Sequence, residues 1–330
     1  MIELFLIARK LVEWSLTLIS FFLSPIFKLI AYTGYGTDFC LRQGFLPLPV
    51  HYYSPVPDVL ALEKENYWGK PSDYDLPGIN FEVTRQIELV DEIGRKYADE
   101  CQWPDTEDRG QTGYYGLNPS FGYLSACLLY CMIRKLKPSR VIEVGAGYST
   151  LIAAQALERN FVENNQSSEF VTVDPYPSSI IRTPIPGLTE LLEKRVEKLP
   201  ISFFDSLGAG DLLFIDSSHV VRAGGDVNFL YLHVLPGLRN GVVVHIHDIQ
   251  FPFEYPREYF VGRKKYLWTE QYLLQAFLSF NNEFEIVLAA YWLGKDNLDI
   301  LLKAFPGFNP DRHRISSSFY IRRICNDAAS

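Results

Sequence analysis

Two groups of residues in this chain have the types and spacing that chemistry needs. The first is Glu143-Val144-Gly145-Ala146-Gly147-Tyr148-Ser149-Thr150, where a strand-like apolar run meets a helical one. Paired glycines let the backbone turn tightly and let a ligand lie against it, and the start of a helix offers free N–H groups to an anion or polar head group. Glu143, two residues before the first glycine, is placed to face a cationic or hydrogen-bond-donating ligand near the strand's carboxyl end. Asp174 closes the next strand-like run, FVTVD, where an acid can accept both hydroxyls of a ribose; an Asp before Pro175 also serves as the start of a turn. A dinucleotide fingerprint wants a third glycine where this chain has Thr150, so hydride transfer with a nicotinamide cofactor is the weaker reading.

The second group is Asp216, His219, His247 and Asp248. Asp216 ends one apolar run and His247 with Asp248 ends another. If those runs are neighbouring strands, about 4.8 Å apart, their side chains converge on one point above a sheet. Such a set suits a divalent ion held by Asp216, His247 and Asp248, or a metal-free site that orients substrate. His219 is the best proton acceptor, because a free imidazole is mostly neutral at pH 7; the competing reading is that it braces the following loop. His245, in mid-strand, reads as a satisfied core histidine, while His51 and His313 sit in loops with no partner visible from spacing.

The elements that must position these groups alternate after residue 117, the signature of a parallel α/β sheet. A helix is expected over 121–136, then strand 141–145, helix 149–160 and strand 170–174, with a weak third strand near 194–197. LLFID (212–216) and VVVHIHD (242–248) are apolar until their ends, as buried central strands should be. A helix over 225–235 stops at Pro236-Gly237, and a helix over 269–280 precedes two closing strands, 284–293 and 317–323. The aromatic residues Tyr114, Tyr115 and 251–255 are either a lid or packing.

Composition sets the frame. The 330 residues are 48% hydrophobic, 21% charged and 15% aromatic, which excludes disordered and collagen-like chains. Thirty-one Lys plus Arg against 39 Asp plus Glu leave a net charge of −8, so no general attraction to nucleic acid or anionic lipid is expected. Five scattered cysteines, Cys40, Cys101, Cys127, Cys131 and Cys325, make no CxxC pair and fit a reducing compartment; Cys127 and Cys131, four apart in a helical run, read as packed thiols.

Three regions follow: an apolar head (1–32), a loop-rich cap rich in Pro and Tyr (33–116), and the α/β domain (117–330). Within the cap, 81–98 has the period of an amphipathic helix. Residues 2–32 hold an uncharged run of 14 residues, Trp14 to Phe27, short of the roughly 20 a bilayer span needs unless Lys28 snorkels and the helix continues to Tyr32. Pro25 would kink a continuous helix. The readings are a membrane-surface helix or short anchor on the cytoplasmic side, a docked helix, and a signal-anchor span.

The motifs ExGxGxST, VDPYP, LLFIDSSH and VVVHIHDIQFPFEYP, together with WTEQYLLQAFLSF and SSSFYIRR, resemble the class I S-adenosylmethionine-dependent methyltransferases, in particular the bacterial type 24 group, over roughly 117–323. The resemblance implies a Rossmann-like seven-stranded, mostly parallel sheet with helices on both faces and the last two strands as a reversed hairpin. It also implies S-adenosylmethionine over the first four strands. By position, Gly145 and Gly147 would meet its methionine portion and Asp174 its ribose, Glu143 would support the loop or the amino group, and Ser149 and Thr150 would cap the helix. DxxH with a later tandem pair is similar to metal-dependent macrolide sugar O-methyltransferases, whose carboxylates hold magnesium and whose histidine takes the hydroxyl proton. That family has an acid at the position of His247; imidazole is a poorer magnesium ligand, which favours manganese, another transition ion, or no metal. The expected activity is O-methylation of a sugar, glycan or lipid-linked hydroxyl, with His219 as base and Asp216 and Asp248 beside it. The alternatives are a noncatalytic membrane-tethered scaffold and an NAD-dependent oxidoreductase.

Overall fold

The computed structural model describes residues 2–65, 67–68, 76–107 and 113–324, with side chains from Ile7 onward; Cys325 lies outside them. The chain forms two compact units, Met1–Trp68 with Arg257–Leu267, and Gly69–Pro256 with Trp268–Ser330. These boundaries fall elsewhere than the breaks in composition, because helix α4 (Val83–Tyr97) packs on helices and a strand of the sheet-bearing unit.

The smaller unit contains α1 (Ile2–Thr33), α2 (Thr37–Arg42), α3 (Val59–Lys64) and α8 (Arg257–Val261). Helix α1 runs on past Pro25 to Thr33, so the apolar stretch gains the length that its uncharged core lacks: Ile7–Thr33 is 27 residues with mean hydropathy 1.6 and none of its most apolar window buried. At about 1.5 Å per residue a helix of that length exceeds the roughly 30 Å hydrocarbon thickness. Asp58 caps α3 by accepting the Ala61 N–H at 3.1 Å. Ion pairs Arg263–Glu13 and Arg257–Glu63, and the rings of Trp68 and Phe260, 4.8 Å apart, tie the 257–267 segment to this unit.

The larger unit is built on seven strands: β1 (Arg140–Val144), β2 (Glu169–Val173), β3 (Glu190–Leu192), β4 (Leu212–Ile215), β5 (Val243–Ile246), β6 (Phe284–Ala289) and β7 (Phe319–Arg323). Their order is 3-2-1-4-5-7-6; the first five are parallel and β7 is antiparallel to both neighbours. One apolar cluster fills the face under α5 (Tyr123–Leu136) and α6 (Tyr148–Asn164). A second fills the opposite face, under the helical run from α7 (Asp226–Phe229) to Gly237 and under α9 (Glu270–Leu278). Strands β4 and β5 are wholly buried, as their unbroken apolar runs require.

Two expectations change. The third strand is Glu190–Leu192, paired with Val171–Val173, whereas residues 196–198 form a single helical turn. A three-residue edge strand beginning with an exposed Glu leaves no periodicity to read. The run 284–293 is strand only to Ala289, where its partner begins at Phe319 and the ladder ends; Ala290–Asp296 turns into helix α10, followed by α11 (Leu298–Ala304). The expected helix over 225–235 is a helical run over 226–237 with one wide turn at 230–234.

Candidate functional site

Strand β1 has β2 on one side and β4 on the other, so connections leave it in opposite directions and a crevice opens beyond the carboxyl ends of β1 and β4. Gly145 starts the turn there with φ +94°, and its N–H bonds the Val173 carbonyl at 2.9 Å. A side chain at this position would collide with the Asp216 carbonyl oxygen, whose own N–H is held by Val144 at 2.8 Å. At Gly147, by contrast, an added Cβ meets no protein atom, and the residue lines the crevice.

Glu143 lies behind this bend. It is fully buried, with one oxygen accepting the Ser149 hydroxyl and the other the Thr150 hydroxyl, each at 2.7 Å. Thr150 Oγ1 in turn accepts the Gly147 N–H at 3.0 Å, which closes the first turn of α6. Glu143, Ser149 and Thr150 therefore brace the loop, with their polar atoms spent on one another; the expectation that Glu143 faces a ligand does not hold. Burial pushes the Glu143 carboxyl up to about 7 against the pull of the Ser149, Thr150 and Thr172 hydroxyls.

Asp174 serves as the start of a turn. Oδ2 accepts the Ala146 N–H at 2.9 Å and Oδ1 accepts the Tyr176 N–H at 2.6 Å, a turn-forming bond after Pro175. The same side chain lines two adjoining clefts, one of about 490 Å³ with Gly145, Tyr176, Val196, Glu197 and Arg222, and one of about 470 Å³ with Ala146, Gly147, Ser149, Ser120 and Phe121. Gly145, Asp174 and Asp216 belong to both, so the two form one crevice across the bend.

Beside it, Asp216, His219 and Asp248 offer ligand atoms that all lie within 4.8 Å of one another. His219 Nε2 is 3.2 Å from Asp216 and 3.8 Å from Asp248, while Nδ1 is 2.7 Å from Glu270. Both His219 and Asp248 adopt left-handed backbone, φ +60° and +58°, an unfavourable conformation held by neighbours. The His219 carbonyl accepts the N–H groups of Thr269 and Glu270 at 2.8 and 3.1 Å, and Ser317 donates to Asp248 at 2.8 Å.

The sequence model of the "Methyltransferase domain" family matches residues 142–249, the stretch that runs from β1 through the bend to Asp248. With the 3-2-1-4-5-7-6 sheet already seen, that match decides the matter. Residues 142–249 are a class I, S-adenosylmethionine-dependent methyltransferase domain. An uncharacterised protein of Archaeoglobus fulgidus is 29% identical over 190 residues, covering 56% of this chain and 83% of that protein. The apo structure of CmcI-N160 aligns over 88% of this chain and 96% of its own at 11% identity, TM-score 0.33. A putative methyltransferase from Thermobifida fusca aligns over 77% and 100% at 11% identity, TM-score 0.34.

The structure brings His219 into the acidic group in place of His247. The period of a strand explains the exchange: His245 and His247 share one face of β5 and its extension, where His247 packs on Phe121, 4.8 Å between ring centres; both His247 and His219 come within 3.8 Å of Asp248, and His219 reaches Asp216 as well, at 3.2 Å. His245 is buried between Phe214 and Tyr320 with neither ring nitrogen hydrogen-bonded, so it is a core histidine but not a satisfied one; burial holds its pKa well below the usual value. His313 pairs with Asp105 at 2.8 Å and stacks on Tyr123, and His51 Nδ1 accepts the Tyr53 N–H. Tyr114 and Tyr255 are buried packing, and Tyr115 meets Tyr148 hydroxyl to hydroxyl at 3.3 Å. Cys127 and Cys131 are buried free thiols, with Cys101 Sγ 3.8 Å from Cys131.

His219 is not the free imidazole its sequence suggests. Burial disfavours its charge, but hydrogen bonds to Asp216 and Glu270, with the charges of Glu270 and Asp248, outweigh that and hold its pKa well above the ordinary value. In the same way burial would raise Asp216, yet the His219 hydrogen bond and the His247 and His219 charges keep it low. Two carboxylates and an imidazole whose far nitrogen is held by another carboxylate form a donor set that fits manganese or a similar ion better than magnesium. Glu270 is the residue that sequence reading missed. Its signal was an acid in the core stripe of a helix: Glu270, Leu274 and Leu278 are all buried, four residues apart.

Proposed function

We propose that this methyltransferase transfers the methyl group of S-adenosylmethionine to a hydroxyl oxygen of a sugar, glycan or lipid-linked acceptor. The observation that carries the reading is His219 Nε2, held 3.2 Å from Asp216, the acid shared by both clefts of the crevice in which Asp174 and the glycine bend would hold the cofactor. Gly145 and Gly147 leave room for the methionine portion, and Asp174 offers a carboxylate to the ribose hydroxyls.

The sulfonium is already reactive, so the protein's part is alignment and proton handling. The acceptor oxygen attacks the methyl carbon, the carbon–sulfur bond breaks with its electron pair going to sulfur, and S-adenosylhomocysteine leaves. The hydroxyl proton passes to Nε2 of His219 in molecules whose ring is neutral, a share that grows as pH rises because, against the pull of burial, its acidic neighbours hold its pKa above the ordinary value. A divalent cation held by Asp216 and Asp248 would supply positive charge that offsets those carboxylates and stabilises the developing alkoxide.

The exposed apolar helix α1 supports placing this chemistry at the cytoplasmic face of a membrane, where lipid-linked acceptors lie. Calorimetry of the full chain against S-adenosylmethionine and S-adenosylhomocysteine tests the cofactor, and transfer of a radiolabelled methyl group into glycolipid extracts tests the acceptor. Heat with both nucleosides and label stable as a methyl ether are expected. Absence of any heat would remove the enzyme reading, and label recovered only in protein or nucleic acid would remove the acceptor class.

A further inference from the structure

Glu270 occupies a place where physical chemistry asks for an apolar side chain. It is fully buried at the start of α9, on the stripe continued by Leu274 and Leu278, and a lone carboxylate taken out of water is costly unless it is well partnered. Oε2 has the His219 Nδ1 bond at 2.7 Å; Oε1 makes no hydrogen bond of ordinary geometry among the described residues, although the buried Tyr231 hydroxyl lies against the carboxylate. So poor a set of partners does little for stability, and a buried ion pair is weak evidence of stabilisation in any case. What the carboxylate does accomplish is orientation. The N–H groups of Thr269 and Glu270 grip the His219 carbonyl, the Glu270 side chain grips the far side of the same ring, and the Trp268 ring lies 4.3 Å from it between centres. One helix start thus fixes the backbone, the plane and one nitrogen of His219, which leaves Nε2 turned toward Asp216 and Asp248.

Building on the methyl-transfer reading, we infer that Glu270 is the positioning residue of the site: its Oε2, 2.7 Å from Nδ1, together with the N–H groups at the start of α9, fixes the His219 ring so that Nε2 is the nitrogen that faces Asp216, Asp248 and the acceptor hydroxyl. Glu270 lines neither cleft of the crevice, so its effect reaches the reaction through His219 alone.

Histidine-selective 15N labelling of the full chain, saturated with S-adenosylhomocysteine, reads the ring directly. His219→Asn identifies the His219 signals among the six histidines. The wild type is expected to show a protonated Nδ1 with a strongly downfield proton, which is lost in Glu270→Gln and recovered in Glu270→Asp. An unprotonated Nδ1 in the wild type, or a downfield proton unchanged in Glu270→Gln, would overturn the inference. Should Glu270→Gln fail to fold, Glu270→Asp decides: its longer reach must move that proton upfield of the wild-type position, and no movement counts against the role. Calorimetry on the same samples separates the two claims. Wild-type protein that binds no S-adenosylhomocysteine defeats the methyltransferase reading, whereas nucleoside binding within about threefold in wild type and Glu270→Gln, with the ring signal unmoved, defeats only the role of Glu270.

Discussion

Gly145 and Asp216 touch backbone to backbone: the bend after β1 passes so close to the Asp216 carbonyl that only hydrogen fits at the Gly145 α-carbon. The cofactor bend and the acid of the second group are therefore one construction, since Asp216 donates its own N–H to the carbonyl of Val144, one residue before the glycine.

Gly145→Ala should test that construction. A left-handed backbone costs an L residue roughly 1–2 kcal/mol, and the collision adds to it, so a loss of about 3 kcal/mol or more in folding stability is expected. Denaturant unfolding measures the loss, and calorimetry should find no heat with S-adenosylmethionine. Gly147→Ala, where the added carbon meets open space, should unfold like wild type and yet bind the cofactor more weakly. Equal effects at the two glycines would contradict this division of labour.

Glu143 gives a pH dependence with a definite sign. Its carboxyl is raised from 4.5 to about 7 in the folded chain, so the native state binds a proton more tightly than the unfolded state does. The stabilisation is complete below about pH 4.5 and fades as pH rises through 7, by about 3 kcal/mol from a shift of this size. Urea unfolding of wild type and Glu143→Gln at pH 5 and pH 8 isolates it. The stability of wild type minus that of the variant should be larger at pH 5 than at pH 8; an equal or reversed difference would sink the assignment.

Such features show where the sequence was readable. Strands β4 and β5 stood out because burial on both faces forces continuous apolar runs, each followed closely by an acid, Asp216 and Asp248. The three-residue β3 did not, since an edge strand half-open to water has no compositional mark. Spacing could place His219 and His247 near Asp216 and Asp248 but could not say which ring turned toward them. That choice depends on the pleat of β5 and on α9, fifty residues further along the chain. Glu270 escaped because an acid at a helix start is ordinarily a solvent-exposed complement to the helix dipole, and only packing shows this one to be buried.

His219→Ala separates catalysis from mere binding. The histidine lines neither cleft, so the dissociation constant for S-adenosylmethionine should stay within about threefold, while methyl transfer to an accepting glycolipid falls by roughly 10²–10⁴. A variant with full transfer would show that His219 is not the base.

The acidic group predicts a metal preference. Manganese should bind the full chain more tightly than magnesium if the His219 imidazole joins the two carboxylates as a ligand, in which case Nε2 holds the ion and does not take the hydroxyl proton. Asp248→Asn should weaken manganese by about tenfold or more, as followed by the loss of free-manganese paramagnetic signal on titration. Equal affinity for the two ions, or none for either in the wild type, would leave Asp216 and Asp248 as groups that orient substrate.

Helix α1 makes the last prediction. Its exposed apolar side chains, among them Leu18, Phe21, Phe22 and Ile26, cover a length that matches a bilayer, and none of its most apolar window is covered by protein. Full-length protein mixed with vesicles of phosphatidylcholine and phosphatidylglycerol should float with them and stay bound through an alkaline carbonate wash if the helix inserts. Phe21→Lys with Phe22→Lys places two charges near the middle of the apolar stretch, at about 2.5–3.5 kcal/mol each, which is enough to turn insertion into release. Because the replaced side chains are exposed, the sheet-bearing unit should unfold at the same denaturant concentration as before and bind S-adenosylmethionine unchanged. Flotation that survives both substitutions would show that α1 is not the attachment, and wild-type protein left at the bottom of the gradient would remove the membrane from this reading altogether.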